Sequence, residues 1–265
     1  MLELGFNKLS EDEYLMGFYE EFIEKYDKLI SWESRFARES KFYQKLFSEN
    51  KVESILDCAC GTGEHVIMFN KMGYIAQGSD LSPAMVKKAK INSRKYKVKA
   101  VFKVSDFRKL TKTFDRKFDV LLCVGNSLPH LSSDRDLTKA LKEMYNAMED
   151  KGILVLQQRN YDMLVKKQKR FMPITIGKNE SFFYVLDYYP NKIVFNVVNL
   201  ENKTKGFNIF KTEYSPLKKN RLSKLLSNVG FKDMKYYGNY KFREFDIRND
   251  DFLTIVCKKS YEIKA

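Results

Sequence analysis

The stretch that most constrains this 265-residue chain is SILDCACGTGEHVIMF, residues 54–69, a short apolar run followed by a turn with Gly61 and Gly63 and then a helical pattern. A strand that turns through two glycines into a helix opens a β-α unit. The glycines let the backbone pass close to a ligand where a side chain would clash. The pattern then repeats, because YIAQGSD, AVFKVSD, FDVLLCVGN and GILVLQQ are short apolar runs separated by helical stretches. Such alternation predicts an α/β fold with a parallel sheet. Ahead of it, residues 11–49 read as helices, with Tyr14, Leu15, Phe18 and Phe22, then Phe36, Phe42 and Leu46, at helical spacings.

After Arg159 the alternation stops. FMPITIG, SFFYVLDYY, KIVFNVVNL and GFNIFKTEY follow without helices long enough to cross over, which predicts an inserted antiparallel sheet. NRLSKLLSNVG gives one helix closed by Gly230. FKDMKYYG and DDFLTIVCKK are expected to pair as an antiparallel hairpin at the sheet edge, and the long NYKFREFDIRND between them is expected to cover part of a site. The chain thus divides into an N-terminal helical lid (1–50), an α/β domain (51–164 and 217–265) and an inserted β subdomain over the substrate (165–216).

The ligand can be argued from what the glycine turn has and lacks. Asp80 ends the second strand 19 residues after Gly61, where an acid accepts hydrogen bonds from ribose hydroxyls. A dinucleotide turn wants a small residue where Val66 stands, and Glu64 would repel a pyrophosphate at the helix start. No Gly-Lys-Ser/Thr follows, so a phosphate-binding Walker loop fails too. S-adenosylmethionine (SAM) carries no phosphate and has a cationic sulfonium, so an acidic glycine turn suits it. Beyond the fourth strand Asn126 offers an amide oxygen to an amine. Arg159, after the fifth, offers a planar fork to a carboxylate at the end of the sheet where α/β proteins place ligands.

LDCACGTGEH, GSDLSPAMVKKAK, FDVLLCVGNSLPHL and GILVLQQRNYDML together resemble the successive motifs of class I SAM-dependent methyltransferases. Within that class the chain is similar to the glycine/sarcosine N-methyltransferase-like group, through GNS-x-x-HL and RNYD. The resemblance implies a Rossmann-like seven-stranded methyltransferase sheet with helices on both faces. It also implies Asp57, Ala59, Gly61 and Gly63 around the methionine part of SAM, and Asp80, Leu81 and Ser82 at the ribose. Asp106 and Phe107 would meet the adenine, while Val124 and His130 would line the cofactor from the fourth strand. In the N-terminal helices it implies Tyr26 and Trp32 at the lid and Arg38 on the SAM carboxylate, with Arg35 as its rival. For the acceptor, the arginine of RNYD would grip an amino-acid carboxylate and the asparagine of GNS the amine. Where glycine-type enzymes have His before that arginine, this chain has Gln158, and their N-terminal substrate tyrosine has no aligned counterpart.

Composition bears on the alternatives. The net charge of +14 hints at nucleic acid, but only 11 of the 48 basic residues are arginine, and the lysines are scattered among acids. Enzymes that methylate base amino groups carry Asn/Asp-Pro-Pro-aromatic after the fourth strand to hold a flipped base, where this chain reads Gly125-Asn126-Ser127-Leu128. An RNA methyltransferase and a non-catalytic SAM-binding protein are therefore the rival readings. Methylation of a sugar or polyketide amine or hydroxyl stays open, as does the oligomeric state. Four cysteines are too few for a disulfide scaffold, and with His65 and His130 the only imidazoles, no metal site is expected. No apolar run approaches the ~20 residues that cross a bilayer, and the charged start MLELGFNKLSEDEYL argues for a cytoplasmic chain.

Overall fold

The computed structural model describes residues 11–29 and 32–260, so the opening MLELGFNKLS lies outside the described residues. Two helices lead, α1 (Glu11–Leu29) and α2 (Trp32–Glu49). The α/β part follows as β1 (Ser54–Asp57), α3 (Glu64–Lys71), β2 (Ile75–Asp80), α4 (Pro83–Lys95), β3 (Val101–Val104), α5 (Leu110–Thr113), β4 (Phe118–Cys123), a 3-10 turn (Leu128–His130), α6 (Asp134–Asn146) and β5 (Met148–Arg159). After α7 (Tyr161–Lys167) come β6 (Phe171–Ile176), β7 (Glu180–Tyr188), β8 (Ile193–Glu201) and β9 (Gly206–Tyr214). Then α8 (Lys219–Val229), β10 (Phe231–Tyr237) and β11 (Phe252–Lys259) complete the chain. Among the described residues no helix is long and apolar enough to cross a membrane.

Seven strands form one sheet in the order β10-β11-β5-β4-β1-β2-β3, with β1 to β5 parallel and β11 antiparallel to both its neighbours. The expected edge hairpin is there, with β10 outermost. Central strands of a sheet covered on both faces must be apolar on both, and Ile55, Leu56, Val120, Leu121 and Leu122 are fully buried. Alternation then sorts them. Leu56, Leu121 and Leu154 pack with Leu137, Leu141 and Met144 of α6 and Leu222 and Leu226 of α8. Ile55, Val120, Leu122 and Val155 pack with Phe42 and Phe47 of α2, Val66 and Phe69 of α3 and Val86 and Ala89 of α4. Strand order reverses at β1, whose neighbours are β2 and β4, so the crevice of the fold opens beyond the ends of β1 and β4.

The remaining strands form a separate antiparallel sheet in the order β6-β7-β8-β9, as the loss of β-α alternation predicts. One of its faces carries Phe182, Val197 and Phe210, which pack on Phe18 and Phe22 of α1. The same helix is tied to that sheet by Lys25, whose Nζ donates to Glu180 Oε1 at 2.9 Å and Glu201 Oε1 at 2.7 Å. By contrast α2 joins the α/β core, and its Phe42 also packs on Tyr237 and Phe242 beside β10. The sequence patterns missed α7, which is only seven residues long, and the start of β5, where the polar MEDKG has no strand signature.

Candidate active site

The glycine turn is built as its spacing predicts. Gly61 and Gly63 both take left-handed backbone (φ 50° and 88°), and Gly63 caps α3. Asp80, at the end of β2, reaches across to this turn: its Oδ2 accepts the Gly61 N–H at 2.9 Å and its Oδ1 the Ser82 N–H at 3.0 Å. Capping of α4 falls to Ser82 instead, which accepts from the Met85 N–H. Burial pushes the Asp80 carboxyl up from its usual range, and these backbone donors oppose the rise.

Asp80, Leu81, Ser82, Ala59, Asp106, Phe107 and His130 line a cavity of about 320 Å³. Asp106 has a partner the sequence did not show, because Arg108 closes on its carboxylate with Nε at 2.8 Å and Nη2 at 2.7 Å from Oδ2. The lining fits an adenosine: a half-buried acid at the end of β2, an aromatic ring, and no phosphate-binding lysine turn.

Deeper under the turn lie buried ionic groups. His65 Nε2 is 2.9 Å from Glu39 Oε2, and its Nδ1 is 3.9 Å from Asp57 Oδ2. Asp57 Oδ1 accepts the Ala59 N–H at 3.2 Å, and burial lifts this carboxyl to about 6. Arg35 pairs with Glu64 at 2.8 Å, which occupies the start of α3 where a phosphate would otherwise sit. Arg38, more exposed, pairs with Glu39 at 3.0 Å. Both arginines face a second cavity of about 650 Å³, as do Tyr26 and Val124. Tyr26 covers Gly61 closely: a Cβ added there would stand 3.6 Å from the Tyr26 hydroxyl.

Asn126 and Arg159 line the same second cavity. Asn126 sits at φ 72°, a costly conformation for a side-chain-bearing residue, and is held there by two neighbours. Its Oδ1 accepts the Arg159 backbone N–H at 3.0 Å, and Tyr161 Oη bonds its amide at 3.0–3.1 Å. The Arg159 guanidinium lies 4.8 Å from the Tyr184 ring, 5.4 Å from Phe195 and 5.3 Å from Phe252. Among the described residues no carboxylate pairs with it. Burial drives His130 down to about 3, so its imidazole is neutral, and its Nε2 lies 3.2 Å from Tyr19 Oη.

Trp32 is the correction. Its indole stacks on Tyr96 at 4.9 Å and 14°, near the far end of α4, and lines neither cavity. A tryptophan at a helix start takes the flat aromatic partner that its register offers, and here that partner is not over the glycine turn. Gln158 points away from the chamber, its Nε2 donating to the Leu217 carbonyl. Missed by sequence reasoning were Tyr19, Tyr161, Tyr184, Thr212, Tyr214 and the Glu39–His65 pair. A signal existed for Tyr19: it lies seven residues before Tyr26 and hence on the same stripe of α1. NYKFREFDIRND does reach the second cavity, through Asn239 and Tyr240.

With the geometry in place, comparison with known proteins is informative. A methyltransferase domain family matches residues 55–152. Over 252 residues the chain is 31% identical to a glycine/sarcosine N-methyltransferase of Aphanothece halophytica, spanning 94% of this chain and 92% of the other. It is 29% identical to the enzyme of that description from Halorhodospira halochloris, over 94% and 91% of the two chains. A SAM-dependent methyltransferase from Clostridium acetobutylicum superposes with a TM-score of 0.75 at 19% identity, covering 92% and 99% of the two chains. SAM-bound CalS10, an amino pentose methyltransferase from Micromonospora echinaspora, does so at 0.62 and 16%, over 87% and 92%. Those two share the fold. The relatives at about 30% identity along the whole chain share more, and this chain belongs to the glycine/sarcosine N-methyltransferase family of SAM-dependent enzymes that methylate small-molecule amines.

Proposed function

We propose that the acceptor is a small amino acid such as glycine or sarcosine, held by its carboxylate on Arg159. The observation that carries this reading is the guanidinium itself. It stands at the end of β5 in a box of three aromatic rings, faces the cavity, and has no carboxylate partner among the described residues. A half-buried cation among ring faces gains from a counter-ion, and a ligand carboxylate supplies one with two parallel hydrogen bonds.

The residue roles follow the same reading. SAM supplies an electrophilic methyl on its sulfonium. Asp80 holds the ribose, with Leu81 and Ser82 beside it, and Asp106 and Phe107 meet the adenine. Asp57, Ala59, Gly61 and Gly63 surround the methionine part; Tyr26 covers it, and Arg35 or Arg38 meets its carboxylate. Val124 and His130 wall the cofactor from β4 and the turn after it. Asn126, bonded to the Arg159 backbone, fixes the chain that presents the guanidinium. His130 and the buried tyrosines are neutral at pH 7, so they orient the amine without drawing its proton, and exclusion of water with alignment does most of the work. In this reading residues 165–216 are the substrate cover, residues 1–50 the lid, and residues 51–164 with 217–265 the SAM-binding body.

The test is labelled SAM with glycine, sarcosine, amino sugars, simple amines without a carboxylate, and bulk RNA. Methyl incorporation into glycine or sarcosine alone supports the reading, and equal incorporation into amines without a carboxylate removes it.

A pH dependence follows from Asp57. Its folded value of about 6 exceeds the usual ~3.9, so between those values the free fold binds a proton that the unfolded chain has lost. Free-protein stability therefore declines as pH rises through that window. SAM affinity should run the other way, because the ligand's ammonium favours the carboxylate. Calorimetry should find binding near its strongest around pH 7 and about tenfold weaker per unit below pH 6. In Asp57→Asn the profile should flatten, and an equally steep profile there would remove Asp57 from the ligand.

A further inference from the structure

We propose that Thr212 is the residue that accepts a hydrogen bond from the acceptor amine at the point of transfer, an inference that rests on the amine-acceptor reading above. Three side chains line both cavities, Tyr19, Thr212 and Tyr214, so they mark the waist between the adenosine end and the methionine end of SAM, where the sulfonium methyl would meet the acceptor. Tyr19 is already engaged, bonding His130 Nε2, and Tyr214 packs its ring on His130 and Phe195. Thr212 is 2% exposed, and among the described residues its Oγ1 has no hydrogen-bond partner.

Nothing in the sheet requires a hydroxyl there. Thr212 lies in β9 opposite Phe195 of β8, on the face that also carries Phe210 and Tyr214, where a valine would fill the same volume. A buried hydroxyl left unpaired destabilises the free fold, and valine would relieve that cost. Meanwhile the oxygen that the sequence offered to the amine is taken, since Asn126 Oδ1 accepts the Arg159 N–H and bonds Tyr161. The waist therefore needs an acceptor and holds one unspent.

The chemistry defines what this acceptor selects. The amine nitrogen uses its lone pair to form the new N–C bond while the S–C pair returns to sulfur. The N–H proton of the resulting ammonium leaves to water on release. A primary or secondary amine has an N–H left over to donate to Thr212 Oγ1, which aims the lone pair at the methyl. A neutral tertiary amine has none. Thr212 thus favours the first two methylations of an amino acid over the third.

The experiment compares Thr212→Val and Thr212→Ser with the wild type, on whichever primary or secondary amine the wild type methylates and on its dimethylated form. Thr212→Val should lose about tenfold in kcat/KM on amines that carry an N–H and little on the tertiary amine. Its SAM affinity should stay unchanged and its Tm should equal or exceed the wild type's, while Thr212→Ser should recover most of the activity. Wild-type activity in the valine variant overturns the proposal. So does a valine variant that loses Tm and SAM affinity along with activity, since Thr212 would then be structural. Should glycine and sarcosine fail as substrates while another amine succeeds, the amino-acid reading falls and the Thr212 comparison proceeds on that amine.

Discussion

Replacing Arg159 by lysine should lower kcat/KM for a carboxylate-bearing acceptor by about a hundredfold, because a substrate misplaced by ~1 Å loses that much in the transfer step. An ammonium keeps the charge but not the planar two-bond fork. It also loses the setting: Tyr184, Phe195 and Phe252 present ring faces that fix a flat guanidinium, and a flexible lysine stem would sample several positions among them. SAM affinity should hardly move, as Arg159 does not line the cavity that carries Asp80 and Phe107. Esters and amides of the acceptor should be poor substrates for the wild type. Full activity in the lysine variant, or equal turnover of acids and their amides, would make Arg159 a structural residue.

Asp80→Ala should weaken SAM binding by roughly 2 to 3 kcal/mol, through the loss of charge-assisted acceptors for the ribose. The loss extends to the protein side. Asp80 Oδ2 anchors the Gly61 N–H and so holds the turn in its left-handed path. Asp80→Asn, which keeps one acceptor oxygen, should fall between the alanine variant and the wild type. The fold should persist, since Ser82 rather than Asp80 caps α4. Calorimetry with an unchanged SAM affinity in a folded alanine variant would withdraw the ribose role.

Both residues were legible in the sequence because each sits at a strand end inside a run of patterned residues. Asp80 lies a fixed distance from the glycines, and Arg159 closes an apolar strand. The sheet was readable for the same reason, since strands buried on both faces leave short apolar runs that alternate with helical stretches. What stayed hidden depends on register between elements far apart in the chain. Thr212 and Tyr214 reach the chamber because β9 pairs with β8 so that Thr212 faces Phe195 and Tyr214 faces Ile193. One residue of slip would turn both outward. Trp32 shows the opposite error: a conspicuous residue type near the expected segment, buried by the packing of α2 where its indole stacks on Tyr96 rather than over the glycine turn.

The grip of Lys25 on Glu180 and Glu201 makes one body of α1 and the four-stranded sheet. Met16 and Tyr19 of that helix border the cavity of about 320 Å³, Tyr19 and Tyr26 the one of about 650 Å³, while Thr212 and Tyr214 of the sheet border both. Under the function proposed above, loosening that grip, as in Lys25→Ala, should therefore disturb cofactor and acceptor binding together rather than either alone.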